Sequence, residues 1–193
     1  MKAANPGVKL TYDDFLLFPD DGQRHELIDG EHYVTPSPIT RHQRISGDLY
    51  WLIRSFLEEH PIGEVFFAPL DVVLSHFDVV VPDLLYMSTE RASSVLTEAH
   101  VRGTPELVIE IGSPGTRQRD ETIKRRLYER SGVLEYWIVD PSVDAHPRLP
   151  PGTECLRARY RVVTQNRRCA DDTALPGLEV PLRAVFKDHQ AIT

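Results

Sequence analysis

Apolar residues recur every three to four positions through the first third of the chain. Ile45, Leu49, Leu52, Ile53, Phe56 and Leu57 fall on one stripe and predict an amphipathic helix over 38–60. Ser37 suits its N-cap, Pro38 suits its first turn, and Pro61 with Gly63 ends it. Upstream, Thr11 stands three residues before Asp14, which resembles a capping box for a short helix over 11–18. Asp29-Gly30 separates Leu27-Ile28 from Tyr33-Val34, the strongest local signal for a hairpin.

Downstream the spacing changes to that of strands. EVFFA (64–68), LDVVLS (70–75) and DVVVPDLLYM (78–87) read as three β-segments, and the polar stretch 88–102 as a loop with a short helix. A nearly all-apolar strand follows over 104–112. Next comes a helix over 116–131 with Ile123 and Leu127 on its inner face, Gly132 at its C-terminal turn, and a second apolar strand over 134–140. Strand, helix, strand in that order predicts a βαβ unit with the two strands parallel. The proline-rich stretch 144–154 reads as an exposed excursion, LRARYRVV (156–163) as a half-exposed strand, and 175–186 as a closing segment. The expected fold class is α/β, with a mixed central sheet flanked by helices in one domain over 1–193.

Composition narrows the options. The chain has 193 residues, 41% hydrophobic and 26% charged, which suits one folded domain and excludes wholesale disorder. Two cysteines, Cys155 and Cys169, with no Cys-x-x-Cys spacing, exclude a disulfide framework and a thiolate zinc site. No apolar run suits a signal peptide or the roughly 20 residues of a membrane span, so a cytoplasmic location without a membrane partner is expected. The net charge of -7 argues against a polyanionic partner, but it is unevenly spread. Residues 1–116 carry 8 basic and 18 acidic side chains, and residues 117–168 carry 12 basic and 7 acidic ones.

Two of the apolar strands each contain one carboxylate, Asp83 in VVVPDLLY and Glu110 in LVIEIG. An unpaired ionised carboxylate in the interior costs several kcal/mol. Two on neighbouring strands therefore suggest a shared positive partner, and a divalent cation with hard oxygen ligands, Mg²⁺ or Mn²⁺, is the simplest. The alternative is that Asp83 caps a strand end beside Pro82 while Glu110 pairs with a core arginine. Asp120, Lys124 and Tyr128 stand four apart on the next helix, on one face. Lys124 is thus placed to reach the end of the Glu110 strand, where its ammonium would orient a water or hold a phosphate oxygen. A surface ion pair between Asp120 and Lys124 is the simpler alternative. No Gly-x-Ser-x-Gly, His-Glu-x-x-His or phosphate-loop pattern is present.

An ordered set of motifs goes further. It comprises Glu26-Leu27-Ile28-Asp29-Gly30, Pro82-Asp83, Pro105 through Glu110, Asp120-x-x-x-Lys124, and Glu135 through Pro141. Over residues 11–186 the chain resembles a bacterial family of proposed restriction endonucleases with a nuclease core of the PD-(D/E)XK type. That resemblance implies a restriction-endonuclease-like fold and metal-dependent hydrolysis of phosphodiester bonds, with DNA as the expected partner. It implies Asp83 and Glu110 as catalytic metal ligands and Glu26 as an additional acidic ligand. His42, Asp71, Asp120 and Tyr128 would support them. The motif lysine belongs two residues after the acid, where this chain has Gly112. The resemblance assigns its role to Lys124 on the following helix.

Arg117, Arg119, Arg125, Arg157 and Arg159, with Arg161, Arg167 and Arg168, are candidate phosphate contacts. Gly112 and the acidic total charge favour the rival reading, a non-cleaving nucleic-acid-binding or interaction protein on the same scaffold. Exposed strand edges make a homodimer plausible.

Overall fold

The computed structural model describes residues 7–113, 115–141, 161–163 and 173–186. The N-terminal segment forms as the local signals require. Helix α1 (Tyr12–Phe15) starts from a capping box, in which Thr11 Oγ1 accepts from Asp14 N–H and Asp14 accepts from Thr11 N–H. Strands β1 (Arg24–Ile28) and β2 (Glu31–Thr35) form an antiparallel hairpin, with Asp29 at φ 54° and Gly30 at φ 75°. Positive φ at both central residues matches the right-handed twist of the strands.

Helix α2 (Thr40–Glu59) buries Ile45, Leu49, Ile53 and Leu57 as the stripe predicts, but it starts later than expected. Ile39 occupies the cap position without a side-chain hydrogen bond, and Ser37 and Pro38 lie outside the helix. In Pro36-Ser37-Pro38 each proline biases the residue before it toward extended backbone, which delays the first turn. Strands β3 (Gly63–Phe67) and β4 (Val72–Ser75) follow. The DVVVPDLLYM segment is two strands, β5 (Asp78–Val80) and β6 (Leu84–Ser88). Pro82 has no N–H for a ladder, and Val81 N–H is directed to the Glu26 carboxylate instead, 3.0 Å away. Asp83 therefore sits in the link between the strands.

Helix α3 (Thr89–Val95), capped by Ser88, and the short strand β7 (Val101–Arg102) occupy the polar stretch. Strand β8 (Leu107–Ile111) then leads into helix α4 (Arg117–Arg119). This continues through a π-helical turn (Asp120–Lys124) into α5 (Arg125–Ser131), which ends at Gly132 with φ 82°. Strand β9 (Glu135–Val139) runs parallel to β8, as the βαβ order predicts. Strand β10 (Arg161–Val163) pairs antiparallel with β9, and helix α6 (Leu182–Val185) comes last. Among the described residues no helix is long and apolar enough to cross a membrane.

The fold is mixed α/β, built of two five-stranded sheets. One has the order β2-β1-β5-β4-β7 and the other β10-β9-β8-β6-β3. The second sheet is covered on both faces, which is why β8 and β9 are buried throughout rather than alternating. Leu107, Ile109 and Ile111 pack with the α2 stripe and with Leu175, Val180, Val185 and Phe186. Val108 points the other way, with Leu127, Tyr128, Tyr136 and Ile138, toward Ile28, Val72 and Val80 of the first sheet. Glu110 shares the parity of Val108, so it too faces α5 and the first sheet.

A Cβ on Gly30 would lie 2.6 Å from Lys9 Cβ, on a backbone conformation that L-residues avoid. Gly30→Ala is expected to cost about 1–3 kcal/mol of unfolding free energy. Urea denaturation at equal slope checks it, and an unchanged midpoint would refute the stated strain.

Candidate active site

Charged side chains from five elements meet where the two sheets face each other. Glu26 comes from β1, Asp83 from the β5–β6 link, Glu110 from β8, His42 from α2, and Asp120 with Lys124 from the π-helical turn. All six are buried. They line, or lie directly behind, a cavity of about 230 Å³ that contains Asp83, Glu110, Lys124, Asp120, His42, Arg24 and Arg119 on its wall.

Asp83 is held on both oxygens. Arg24 Nη1 donates to Oδ1 at 2.9 Å, while His42 Nε2 at 3.0 Å and Ile111 N–H at 2.9 Å reach Oδ2. Burial pushes this carboxyl up, but His42, Arg24 and the Ile111 amide outweigh it and hold the group at about 2. With Nε2 facing the carboxylate, His42 Nδ1 is left buried with no hydrogen-bond partner.

Lys124 Nζ sits 2.8 Å from Glu26 Oε1 and 2.8 Å from Glu110 Oε1. Burial alone would lower the ammonium, but the surrounding carboxylates raise it, so Lys124 stays charged. Tyr128 OH also donates to Glu110 Oε1, at 2.9 Å, so neither donor reaches Oε2. Burial raises the Glu110 carboxyl to about 8. Lys124 opposes the rise, while Asp120, Asp83 and Glu26 add to it. One ammonium is thus shared among several carboxylates, and Glu110 is the one left under-compensated. Burial likewise raises Asp120.

Glu26 is different. Its Oε1 accepts from Val81 N–H and Lys124, and its Oε2 accepts from Thr35 Oγ1 at 3.3 Å and faces Arg119 Nη2 at 3.5 Å. Burial raises it, and Lys124 with these other donors brings it below the ordinary glutamate value. Glu26 therefore anchors Lys124 and Arg119, with both oxygens engaged. Among the described residues no group of three or more His, Cys, Asp or Glu is arranged to hold a metal ion.

Other expectations divide. Lys124 is not in a surface pair with Asp120. The π turn draws Asp120 and Lys124 inward together, and Ile123, expected inside, is 38% exposed. Asp71 stays outside the cluster: its electrostatic neighbour is His100, and its carbonyl accepts from Val101 N–H. Arg119, a candidate phosphate contact, bonds Thr35 Oγ1 at 2.8 Å and lies 5.4 Å over the Tyr33 ring. Arg117 pairs with Glu121 at 2.8 Å and Asp140 at 3.0 Å, and Arg125 is exposed. Arg157, Arg159, Arg167, Arg168 and the 144–154 excursion lie outside the described residues, and so does the Arg161 side chain. Arg24 and Thr35 were missed. Strand alternation was the available signal, since Arg24 and Glu26 share a face of β1.

Gly112 N–H donates to Val139 carbonyl at 2.8 Å, continuing the ladder past β8. A Cβ there would meet only Val139 O at 3.6 Å, an ordinary contact. Period two puts position 112 on the face of Glu110, and both Gly112 and Lys124 line the cavity, so a lysine from 112 could serve the same carboxylate as Lys124.

The Uma2 family, described as "Putative restriction endonuclease", matches residues 12–183. Among solved structures the chain is similar to the "putative nuclease belonging to DUF820 from Anabaena variabilis ATCC 29413", at 24% identity and a TM-score of 0.59. That match covers 68% of this chain and 74% of the other. No curated protein matches the chain.

Because the folded Glu110 carboxyl titrates near 8 rather than near 4.5, the folded chain keeps a proton that the unfolded chain gives up. Stability from this group is present below about pH 4.5 and is lost as pH rises toward about 8. Glu110→Gln removes that loss, so the variant gains on wild type between these two pH values. Urea midpoints at both ends measure it, and a constant difference between the proteins would contradict the assignment.

Proposed function

This chain belongs to the Uma2 family, and on that premise we propose that it is a metal-dependent nuclease hydrolysing phosphodiester bonds, with DNA as its substrate. The observation that carries the proposal is that Asp83 and Glu110, from separate strands, line one cavity with the Lys124 ammonium on Glu110. The donor set suits Mg²⁺ or Mn²⁺. Such an ion takes one or two carboxylates and completes its shell with water and substrate phosphate, so a cage of three protein ligands is not required. Glu110 supports the fit: its Oε2 receives neither Lys124 nor Tyr128. When bound, the ion would polarise the scissile phosphate and lower the pKa of an attacking water.

The chain's own groups do the rest. Asp83 and Glu110 would hold the ion. Arg24 and His42 fix the Asp83 carboxylate and keep it ionised down to about pH 2. Glu26 and Tyr128 fix the reach of Lys124 and of Glu110. Lys124 then offers a preorganised positive charge beside the reacting phosphate, where negative charge grows in the transition state. Arg125 on the exposed face of α5 would contact backbone phosphates, adding salt-dependent affinity without reading sequence.

Cutting of plasmid and of single-stranded DNA tests the reading. Wild type should cut in Mn²⁺ and stop when a chelator is added. Asp83→Asn and Glu110→Gln should slow cutting by about 100-fold or more. Equal rates for wild type and Asp83→Asn under every metal would end the proposal.

The position of the lysine has its own test. Lys124→Ala should lose activity, and adding Gly112→Lys should restore part of it, with circular dichroism confirming that both variants fold. A double variant no better than the single one would show that the two positions do not serve one carboxylate.

A further inference from the structure

The cavity holding Asp83 and Glu110 does not end at them. A second cavity of about 250 Å³ shares Arg24, His42 and Asp83 with it. From there it runs along α2 past Gln43 and Ser46, and across to Phe67. Phe67, the last residue of β3, is 57% exposed. It is not loose: its ring meets Tyr50 edge-on, with centroids 4.9 Å apart and an interplanar angle of 79°. Gln43, Ser46 and Tyr50 are spaced i, i+3, i+7 on α2 and so share one face. Gln43 and Ser46 of that face and Phe67 at the end of β3 all line the cavity.

Arg24, Thr35 and Asp83 of this cavity are engaged within the protein, but other polar groups on its wall are not. Among the described residues, the side chains of Ser37, Gln43 and Ser46 make no hydrogen bond. His42 Nδ1, at the junction of the two cavities, is buried and has no partner. Asp83 is the one carboxylate lining the second cavity among the described residues, and its charge is already met by Arg24. A fixed aromatic ring beside an amide and hydroxyls that lack partners is the chemistry that takes a nucleobase. The base stacks on the ring and hydrogen-bonds along its edge.

We propose that the second cavity binds one unpaired base of the strand whose phosphate lies at Asp83 and Glu110, so that the substrate is single-stranded at the cut. This rests on the nuclease reading and deepens it. A base inside a duplex is covered by its neighbours and its partner, and cannot present a face to Phe67. Gln43 and Ser46 supply edge contacts that every base can use in part, so the subsite selects for an unpaired base more than for its identity.

The probe is a set of short single-stranded DNA oligonucleotides carrying 2-aminopurine at successive positions, titrated with protein in a chelating buffer that prevents cutting. Stacking changes 2-aminopurine fluorescence. Wild type and Phe67→Tyr should quench it at one position of the set. Phe67→Ala and Phe67→Leu should lose that quench and bind about 5-fold more weakly or worse. Phe67→Leu keeps an apolar group against Tyr50, so its loss reports stacking rather than folding. Equal quench and affinity in wild type, Phe67→Ala and Phe67→Leu would overturn the proposal.

A parallel Mn²⁺ digest compares a single strand, a full duplex, and a duplex with one unpaired base. Wild type should cut the first and third at least about 5-fold faster than the second, and Phe67→Ala should lose that ratio. A ratio unchanged by Phe67→Ala overturns the base subsite and leaves the nuclease. Quenching by wild type without cutting of any substrate overturns the nuclease and leaves the base subsite.

Discussion

Lys124 carries an ammonium into the interior, where an isolated charge costs several kcal/mol, and Glu26 and Glu110 meet it at 2.8 Å each. Those two carboxylates come from different sheets, since β1 belongs to one and β8 to the other. The ammonium therefore joins the sheets by charge at a place where neither could leave a carboxylate alone. Removing it would leave two buried carboxyl groups without their shared cation, and removing either carboxyl would unbalance the other. Two further polar contacts build on this one. Tyr128 completes Glu110 from one turn further along the helix, and Arg119 completes Glu26 from one turn before.

The balance is incomplete on one side, and that asymmetry gives the site its chemical character. Asp83 is fully compensated by Arg24, His42 and the Ile111 amide, and so remains an anion. Burial, with Asp120, Asp83 and Glu26 nearby, raises the Glu110 carboxyl far above the ordinary glutamate value, although Lys124 opposes the rise. Two carboxylates of unlike affinity for protons, facing one cavity, form a receptive place for a positive charge. The backbone contributes through Pro82. By withholding a ladder N–H it ends β5, frees Val81 N–H for Glu26, and leaves Asp83 at the mouth rather than inside a sheet.

The same geometry shows how a helix can supply what a strand usually would. Position 112 shares a face with Glu110 and has room for a side chain, yet it is glycine. The cation arrives instead from the π-helical turn, whose wider winding aligns Asp120 with Lys124 and turns Ile123 outward. An ammonium at a given point in space is defined by the carboxylates that hold it, not by the element that carries it.

Much of this was legible in the residues. Local signals set the capping box at Thr11, the Asp29-Gly30 hairpin, the α2 stripe, the β8–helix–β9 unit and the end at Gly132, because each depends on neighbours within a few positions. The pairing of Lys124 with Glu110 was also legible, since a charge in an apolar strand and one on an inner helix face need one another, whereas Asp83 is met by Arg24 and His42 instead. Other features depended on contacts distant in sequence. These were the split of one apolar run between two sheets, the engagement of both Glu26 oxygens, the clamp of Arg24 on Asp83 across 59 positions, and the place of Asp71 outside the cluster. Periodicity tells which face a side chain takes. Only the packing of one sheet against the other decides what stands opposite that face, and so which buried charge is compensated and which is left open.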